Sequence, residues 1–240
     1  MNKTRLYNLA SRMNIALDEK QLNTFEKYYK MLIEKNKVMN LTAITEWEDV
    51  CVKHFADSLS IVKCMDMTKV RTVMDLGTGA GFPGIPLKIA FPHLNITLAD
   101  SLGKRIRFLE EVIEQCALDD VTAVHARAED IAKDPEYREK YDLCVSRAVA
   151  NLSTLCEYCL PFVHKGGSFV SYKSGKAREE IDFSRHAVKV LGGGLITEKD
   201  ITEFVLPDTD MERVLVRIKK VTSTPAKYPR KAGIPAKEPL

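Results

Sequence analysis

Asp75 closes an apolar run that begins at Val70, and Gly77, Gly79 and Gly81 follow it at alternate positions. A strand that empties into glycines and then into a helix, here opening near Pro83, builds a nucleotide-type pocket. Ligands reach backbone only where side chains are missing. Two chemistries compete for such a turn. A dinucleotide brings a pyrophosphate, which needs bare amides at a helix N-terminus. S-adenosylmethionine (SAM) brings an ammonium and a sulfonium and no phosphate, so it accepts a carboxylate nearby. Asp75 stands two residues before the first glycine, and Phe82 occupies the place where a dinucleotide fingerprint begun at Gly77 needs glycine. Both features favour SAM. A G-x-G-x-x-G drawn from Gly79 to Gly84 starts late after the strand and contains Pro83. A connector with no ligand is the plainer alternative, and three glycines in five residues speak against it.

Two more acids fall where a nucleoside would need them. Asp100 ends a second apolar run, 94–99, and lies 25 residues after Asp75, a separation that suits a carboxylate on ribose hydroxyls. It can equally cap the helix that follows. A third run, 121–125, leads to Ala128-Glu129, where an adenine-contacting loop would fall; a solvated surface acid is the other reading of Glu129. The six cysteines form no framework, and Cys156-x-x-Cys159 has no second pair, so packing explains them better than metal or redox chemistry. No metal is expected. The five histidines (His54, His93, His125, His164, His186) are scattered and form no evident general-base constellation.

The elements that must position these residues follow from periodicity. Residues 4–65 read as helices, one capped by Asp18 and one opened by a Thr45–Glu48 capping box. From residue 70 strands (70–75, 94–99, 121–125, 141–145, 167–172) alternate with helices (84–90, 103–116, 151–160, 175–191), which implies a parallel sheet covered on both faces. Two runs, 195–205 and 212–219, have no helix between them and read as an antiparallel edge hairpin. The expected fold class is therefore α/β: a Rossmann-like class I SAM-dependent methyltransferase fold, with a mostly parallel seven-stranded sheet, an antiparallel edge hairpin and an N-terminal helical extension. The expected division is a helical extension over 1–67, the methyltransferase domain over 68–220 and a basic, proline-rich tail over 221–240 that reads as extended and mobile.

Composition is that of an ordinary globular protein, with 45% hydrophobic and 29% charged residues and a net charge of +3. No run approaches the roughly 18 apolar residues of a membrane span, and the N-terminus lacks a signal-peptide core. A cytoplasmic location is expected, with no membrane contact and a monomer as the default. The charge is uneven. From Arg217 onward seven basic residues face one acid, Glu238, a distribution that suits phosphate contacts.

Several segments go beyond a fold class: Asn40-Leu-Thr-Ala-Ile-Thr, Lys53-His-Phe-Ala-Asp-Ser, Asp75-Leu-Gly-Thr-Gly-Ala-Gly-Phe-Pro-Gly-Ile-Pro, Asp100-Ser-Leu-Gly-Lys-Arg, Ser146-Arg-Ala-Val-Ala and the tail from Thr224. On these the chain resembles the RsmG (GidB) family, bacterial enzymes that methylate N7 of a guanine in a loop of 16S ribosomal RNA. Ala232 departs from similar tails, which often have proline there. The resemblance implies SAM as cofactor and 16S rRNA, the small ribosomal subunit or its assembly intermediate as partner. It implies that Gly77 (backbone) and Phe82 (packing) touch SAM; Asp75, Gly79 and Gly81 of the same turn are expected to bind the cofactor with them. Asp100 would hold the ribose, Ala128 and Glu129 the adenine, and Arg147 the reactive end. Arg147 would orient the guanine or a phosphate; an ion pair with Asp142 is its structural alternative. Lys53, His54, Lys173 and the tail residues Lys227, Arg230 and Lys231 are the expected RNA contacts. A SAM-dependent methyltransferase acting on another RNA, a protein or a small molecule is the alternative function.

Overall fold

The computed structural model describes residues 2–147, 150–175 and 177–240. Ala148 and Val149 of the Ser-Arg-Ala-Val-Ala segment and Lys176 of the expected helix 175–191 lie outside the described residues, as does Met1 of the extension.

Seven strands form one sheet in the order β3-β2-β1-β4-β5-β7-β6. They are β1 (Thr72–Leu76), β2 (Asn95–Asp100), β3 (Val121–His125), β4 (Tyr141–Ser146), β5 (Val163–Ser174), β6 (Ile201–Val205) and β7 (Glu212–Lys219). β1 pairs in parallel with β2 and β4, and β2–β3 and β4–β5 are also parallel. β7 runs antiparallel to both β5 and β6, so the expected hairpin stands at the edge. The first strand of that hairpin is shorter than the run 195–205, because Thr197 and Asp200 close a capping box on each other and force a 3₁₀ turn over Glu198–Asp200.

The described residues form ten α-helical segments. Before the sheet come α1 (Thr4–Ser11), α2 (Glu19–Met39), α3 (Trp47–Val50) and α4 (Asp57–Leu59); α5 (Gly84–Ala90), α6 (Gly103–Gln115), α7 (Ala128–Ile131) and α8 (Leu152–Cys159) alternate with strands. α9 (Ala177–Val190) and a short α10 (Ile234–Lys237) follow. Asp18 caps α2 as expected, its carboxylate accepting from the Gln21 amide at 2.7 Å while Gln21 returns the bond at 2.9 Å. The expected Thr45–Glu48 box does not form. Glu46 stands at the N-cap of α3 without a side-chain bond, and the Thr45 carbonyl instead accepts from the Tyr29 hydroxyl at 2.8 Å. Between α3 and α4 the chain widens into a π-helical turn, Cys51–Ala56. Such turns re-aim side chains within a helix, and this one carries Lys53 and His54.

Successive residues of β1 feed opposite faces of the sheet. Val73 joins a core that also contains Leu6, Phe25, Leu32 and Phe55 of the N-terminal helices; Met74 joins a core with Leu155, Ile181 and Val188 of α8 and α9. The N-terminal helices therefore share one hydrophobic core with the sheet. Among the described residues no helix is long and apolar enough to cross a membrane.

The tail is not the extended, mobile segment that its prolines suggest. Tyr228, Pro229 and Pro235 are buried, and the Arg138 guanidinium donates to the carbonyls of Thr224 (2.8 Å), Pro225 (3.3 Å) and Tyr228 (3.0 Å). Apolar contact and one guanidinium replace the regular backbone pairing that proline forbids.

Candidate functional site

A cavity of about 710 Å³ opens at the carboxyl ends of β1, β2 and β4, where ligands of open α/β sheets bind. Gly77 (φ +71°), Gly79 (φ +62°) and Gly81 (φ +108°) all adopt left-handed backbone, which explains why glycine occupies each. Five amides of this turn, those of Gly77, Thr78, Gly79, Gly81 and Phe82, are already used. Those of Gly77 and Thr78 donate to the Ala99 carbonyl (2.9 and 3.2 Å), and that of Gly79 donates to the Asp100 carboxylate at 3.0 Å. Those of Gly81 and Phe82 fold back onto the Thr78 carbonyl, each at 2.9 Å. A pyrophosphate needs free amides at this position and would meet Asp100 instead. These occupied amides and the Asp100 carboxylate disfavour a dinucleotide.

Asp75 acts differently from the expectation. It is fully buried, does not line the cavity, and accepts from the Thr78 hydroxyl (2.6 Å) and the Gly84 amide (2.8 Å), so it folds the glycine turn from behind. Its Oδ1 has no hydrogen-bond partner. Burial pushes its carboxyl up to about 6, against the pull of those two hydrogen bonds. Gly81 also faces away from the cavity: an added Cβ would lie 2.6 Å from Ile85 and 3.0 Å from the Tyr28 hydroxyl. Gly77, Gly79, Phe82, Asp100, Ala128, Glu129 and Arg147 do line the cavity.

These linings fit SAM in two respects. An added Cβ at Gly79 would find no atom within 4 Å, so the backbone there is open to a ligand. Asp100 and Glu129, both over nine-tenths buried, stand as acceptors along the wall. Asp100 does not cap α6; it accepts from the amide of Leu102 (2.9 Å), the residue before that helix, and pairs with Arg105 at 3.1 Å. Arg105, Arg127 and Arg147 line the cavity too, so the selectivity comes from the occupied amides and not from a net negative wall.

Arg147 follows β4 at one end of the cavity. Its guanidinium lies 4.9 Å from the Phe82 ring centre, and His54 stacks on the same ring at 4.5 Å and 20°. Asp142 is not its partner; that carboxylate accepts from the amides of Arg71 and Thr72 and from His164. The buried Asp57 is, with Arg147 at 3.0 Å on one oxygen and Arg213 at 3.1 Å on the other. Burial, and then the charge of Arg147, hold the His54 imidazole down to about 3. Arg147 can only donate, so His54 accepts at Nδ1 (3.3 Å) and carries its proton on Nε2 toward the Thr42 hydroxyl (2.7 Å). Beyond this pair lies a second cavity of about 810 Å³, which shares His54, Arg147 and Ala150 with the first. His54 and Arg147 form a partition between two chambers.

Residues 21–203 match the family model for GidB, rRNA small subunit methyltransferase G. The chain belongs to that family. It is 54% identical over 239 residues to the ribosomal RNA small subunit methyltransferase G of Lachnoclostridium phytofermentans, covering all of this chain and 97% of that one. It is 48% identical over 240 residues to the corresponding protein of an Exiguobacterium species, covering both completely. Among solved structures, M. capricolum TrmK bound to S-adenosyl-homocysteine superposes with a TM-score of 0.51 at 13% identity, over 75% of this chain and 73% of that one. That likeness shows the fold alone: a SAM-dependent methyltransferase sheet.

In this GidB family member the expected RNA contacts divide. Lys53, His54 and Lys173 line the second cavity. Lys53 pairs with Asp49 at 2.8 Å and Lys173 with Glu180 at 2.6 Å, and His54 is uncharged, so none of the three is a free cation. Arg230 is bound to the buried Glu157 at 2.7 Å. Lys227, beside the Tyr228 ring at 5.2 Å, and Lys231 stay exposed on the tail, away from both cavities. Sequence reasoning missed Asp57 as the anchor of Arg147, although an acid on the apolar face of 50–62 was a visible signal. It also missed Arg213 and Gly233, which nothing local in the sequence distinguishes.

Proposed function

We propose that this chain transfers the methyl group of SAM to N7 of a guanine in a loop of 16S rRNA, by direct in-line displacement and without a general base. The observation that carries the reading is the partition of His54 and Arg147 between two adjoining chambers. The first takes the cofactor and the second the extruded base. When bound, SAM would supply an electrophilic methyl group. Asp100 accepts from the ribose hydroxyls, Ala128 and Glu129 flank the adenine, and the Gly77 and Gly79 backbone with Phe82 holds the methionine end.

N7 of guanine is an acceptor with an unprotonated lone pair, so no proton has to leave before it attacks. His54 fits this chemistry: held neutral and bonded on both ring nitrogens, it is a wall and not a base. Arg147 packs over the Phe82 ring, 4.9 Å from its centre, which fixes the acceptor relative to the methyl group. Positioning of this kind is worth about 7–11 kcal/mol. N7 lies in a deep, narrow groove of an A-form helix, beyond the reach of side chains, so the target is unpaired or flipped out.

The test is methylation of small subunits, and of their naked rRNA, from cells lacking the protein. Nucleoside digests should gain one 7-methylguanosine. Methyl groups on another atom, another RNA or a protein would replace this reading. Arg147→Ala should lower turnover at least about a hundredfold, the scale of a lost positioning contact, while S-adenosylhomocysteine still binds. Wild-type turnover in that variant would remove Arg147 from the mechanism.

A further inference from the structure

The family match ends at residue 203, so it assigns nothing to the C-terminal segment. That segment nevertheless reaches the cofactor cavity. Gly233 lines it, in left-handed backbone (φ +82°), and its amide donates to Glu129 Oε1 at 3.0 Å. The same stretch is fastened to α8. The Arg230 amide, Nε and Nη2 all donate to the Glu157 carboxylate, at 2.8, 3.0 and 2.7 Å, and Glu157 is wholly buried. The Thr154 hydroxyl donates to the Pro235 carbonyl at 2.9 Å. α8 in turn presents Leu155 and Tyr158 to the cavity. One face of the segment thus touches both the acid beside the adenine site and the helix behind it.

We propose that this segment is the outer wall of the SAM cavity, and that Arg230 and Gly233 are positioning residues for the nucleoside end of the cofactor. Gly233 fixes Glu129 directly. Arg230 holds Gly233 in place by locking its segment to α8. The cations that suggested RNA binding divide accordingly: Arg230 faces inward and serves the cofactor, while Lys227 and Lys231 remain outside. The proposal rests on SAM as the ligand of the first cavity.

Removing Arg230 alone would strand a buried carboxylate and endanger the fold. The informative variant is therefore full-length Arg230→Ala combined with Glu157→Gln, beside Arg230→Lys and the exposed control Lys231→Ala. Calorimetry with S-adenosylhomocysteine should show the double variant about tenfold weaker than wild type, Arg230→Lys intermediate, and Lys231→Ala within about twofold. KM for SAM should rise in step, while kcat at saturating SAM and KM for the RNA substrate hold, a split that a general loss of structure would not give. A double variant that binds S-adenosylhomocysteine like wild type overturns the proposal. A rise in KM for RNA with unchanged cofactor affinity overturns it too, by returning Arg230 to the RNA. A wild-type chain that bound no S-adenosylhomocysteine would defeat the functional proposal first, with this one falling as its consequence.

Discussion

His54 and Asp75 sit on either side of the glycine turn with opposite titration habits. The His54 pKa is lowered to about 3 by burial and by Arg147, and that of Asp75 is raised by burial to about 6. A depressed imidazole contributes stability at high pH that is lost as pH falls below about 6.5, its unfolded value. A raised carboxyl contributes stability at low pH that is lost as pH rises from about 4 through 6. Each slope is at most about 1.4 kcal/mol per pH unit, so the two oppose and largely cancel between about pH 4 and 6. His54→Asn should unmask Asp75: relative to wild type, the variant gains stability as pH drops through that window. Asp75→Asn should do the reverse. Denaturant titrations across pH that gave all three proteins parallel profiles would refute the assignment. The residue types here were legible from the sequence, as were Asp100, Glu129 and Arg147 on the cavity wall. The electrostatics were not, because Asp75 points behind the turn and Asp57, on a distant helix, neutralises Arg147.

The strand–turn–helix unit β1–α5 is the element on which the cofactor site depends, and its glycines have separable duties. At Gly84 an added Cβ would stand 2.3 Å from a Leu98 methyl and 2.7 Å from Asp75 Oδ2. Gly84→Ala should therefore destabilise the fold by about 1–3 kcal/mol through overpacking. At Gly79 the space is open but the backbone is left-handed, so Gly79→Ala should cost about 1–2 kcal/mol of strain and also push a methyl toward the ligand. Unfolding free energies and S-adenosylhomocysteine affinities should rank the two variants differently, with Gly84→Ala dominated by stability and Gly79→Ala by binding. Equal loss on both scales would contradict the division. This unit was read closely from sequence: the helix over 84–90 has the expected bounds, because its glycine entry and apolar run are both local signals. The π turn Cys51–Ala56 was not, since a widened helical turn leaves the apolar spacing of 50–62 almost unchanged. Nor was the full length of β5, whose extension past Gly166 and Gly167 depends on pairing with a strand distant in sequence.

At the scale of the whole chain, the N-terminal helices and the sheet close over one core, and α2 touches the cofactor loop. The Tyr28 hydroxyl donates to the Ala80 carbonyl at 2.7 Å from a fully buried position, and Gln21 of the same helix donates to the Ile89 carbonyl at the far end of α5 at 2.8 Å. Tyr28→Phe leaves that carbonyl buried and unsatisfied, at a cost of about 1–3 kcal/mol. It should lower both the unfolding midpoint and the affinity for S-adenosylhomocysteine, although Tyr28 does not line the cavity. Unchanged affinity in the variant would show that the loop holds its shape unaided. An α/β sheet with helices before it could be anticipated from periodicity; that α2 braces the ligand loop could not, because the contact spans more than fifty positions. A survey of inactivating substitutions should accordingly find a second hotspot early in the chain, along the inward stripe of α2. Such lesions would be silent in any account that ranks positions by their distance from the methyl donor.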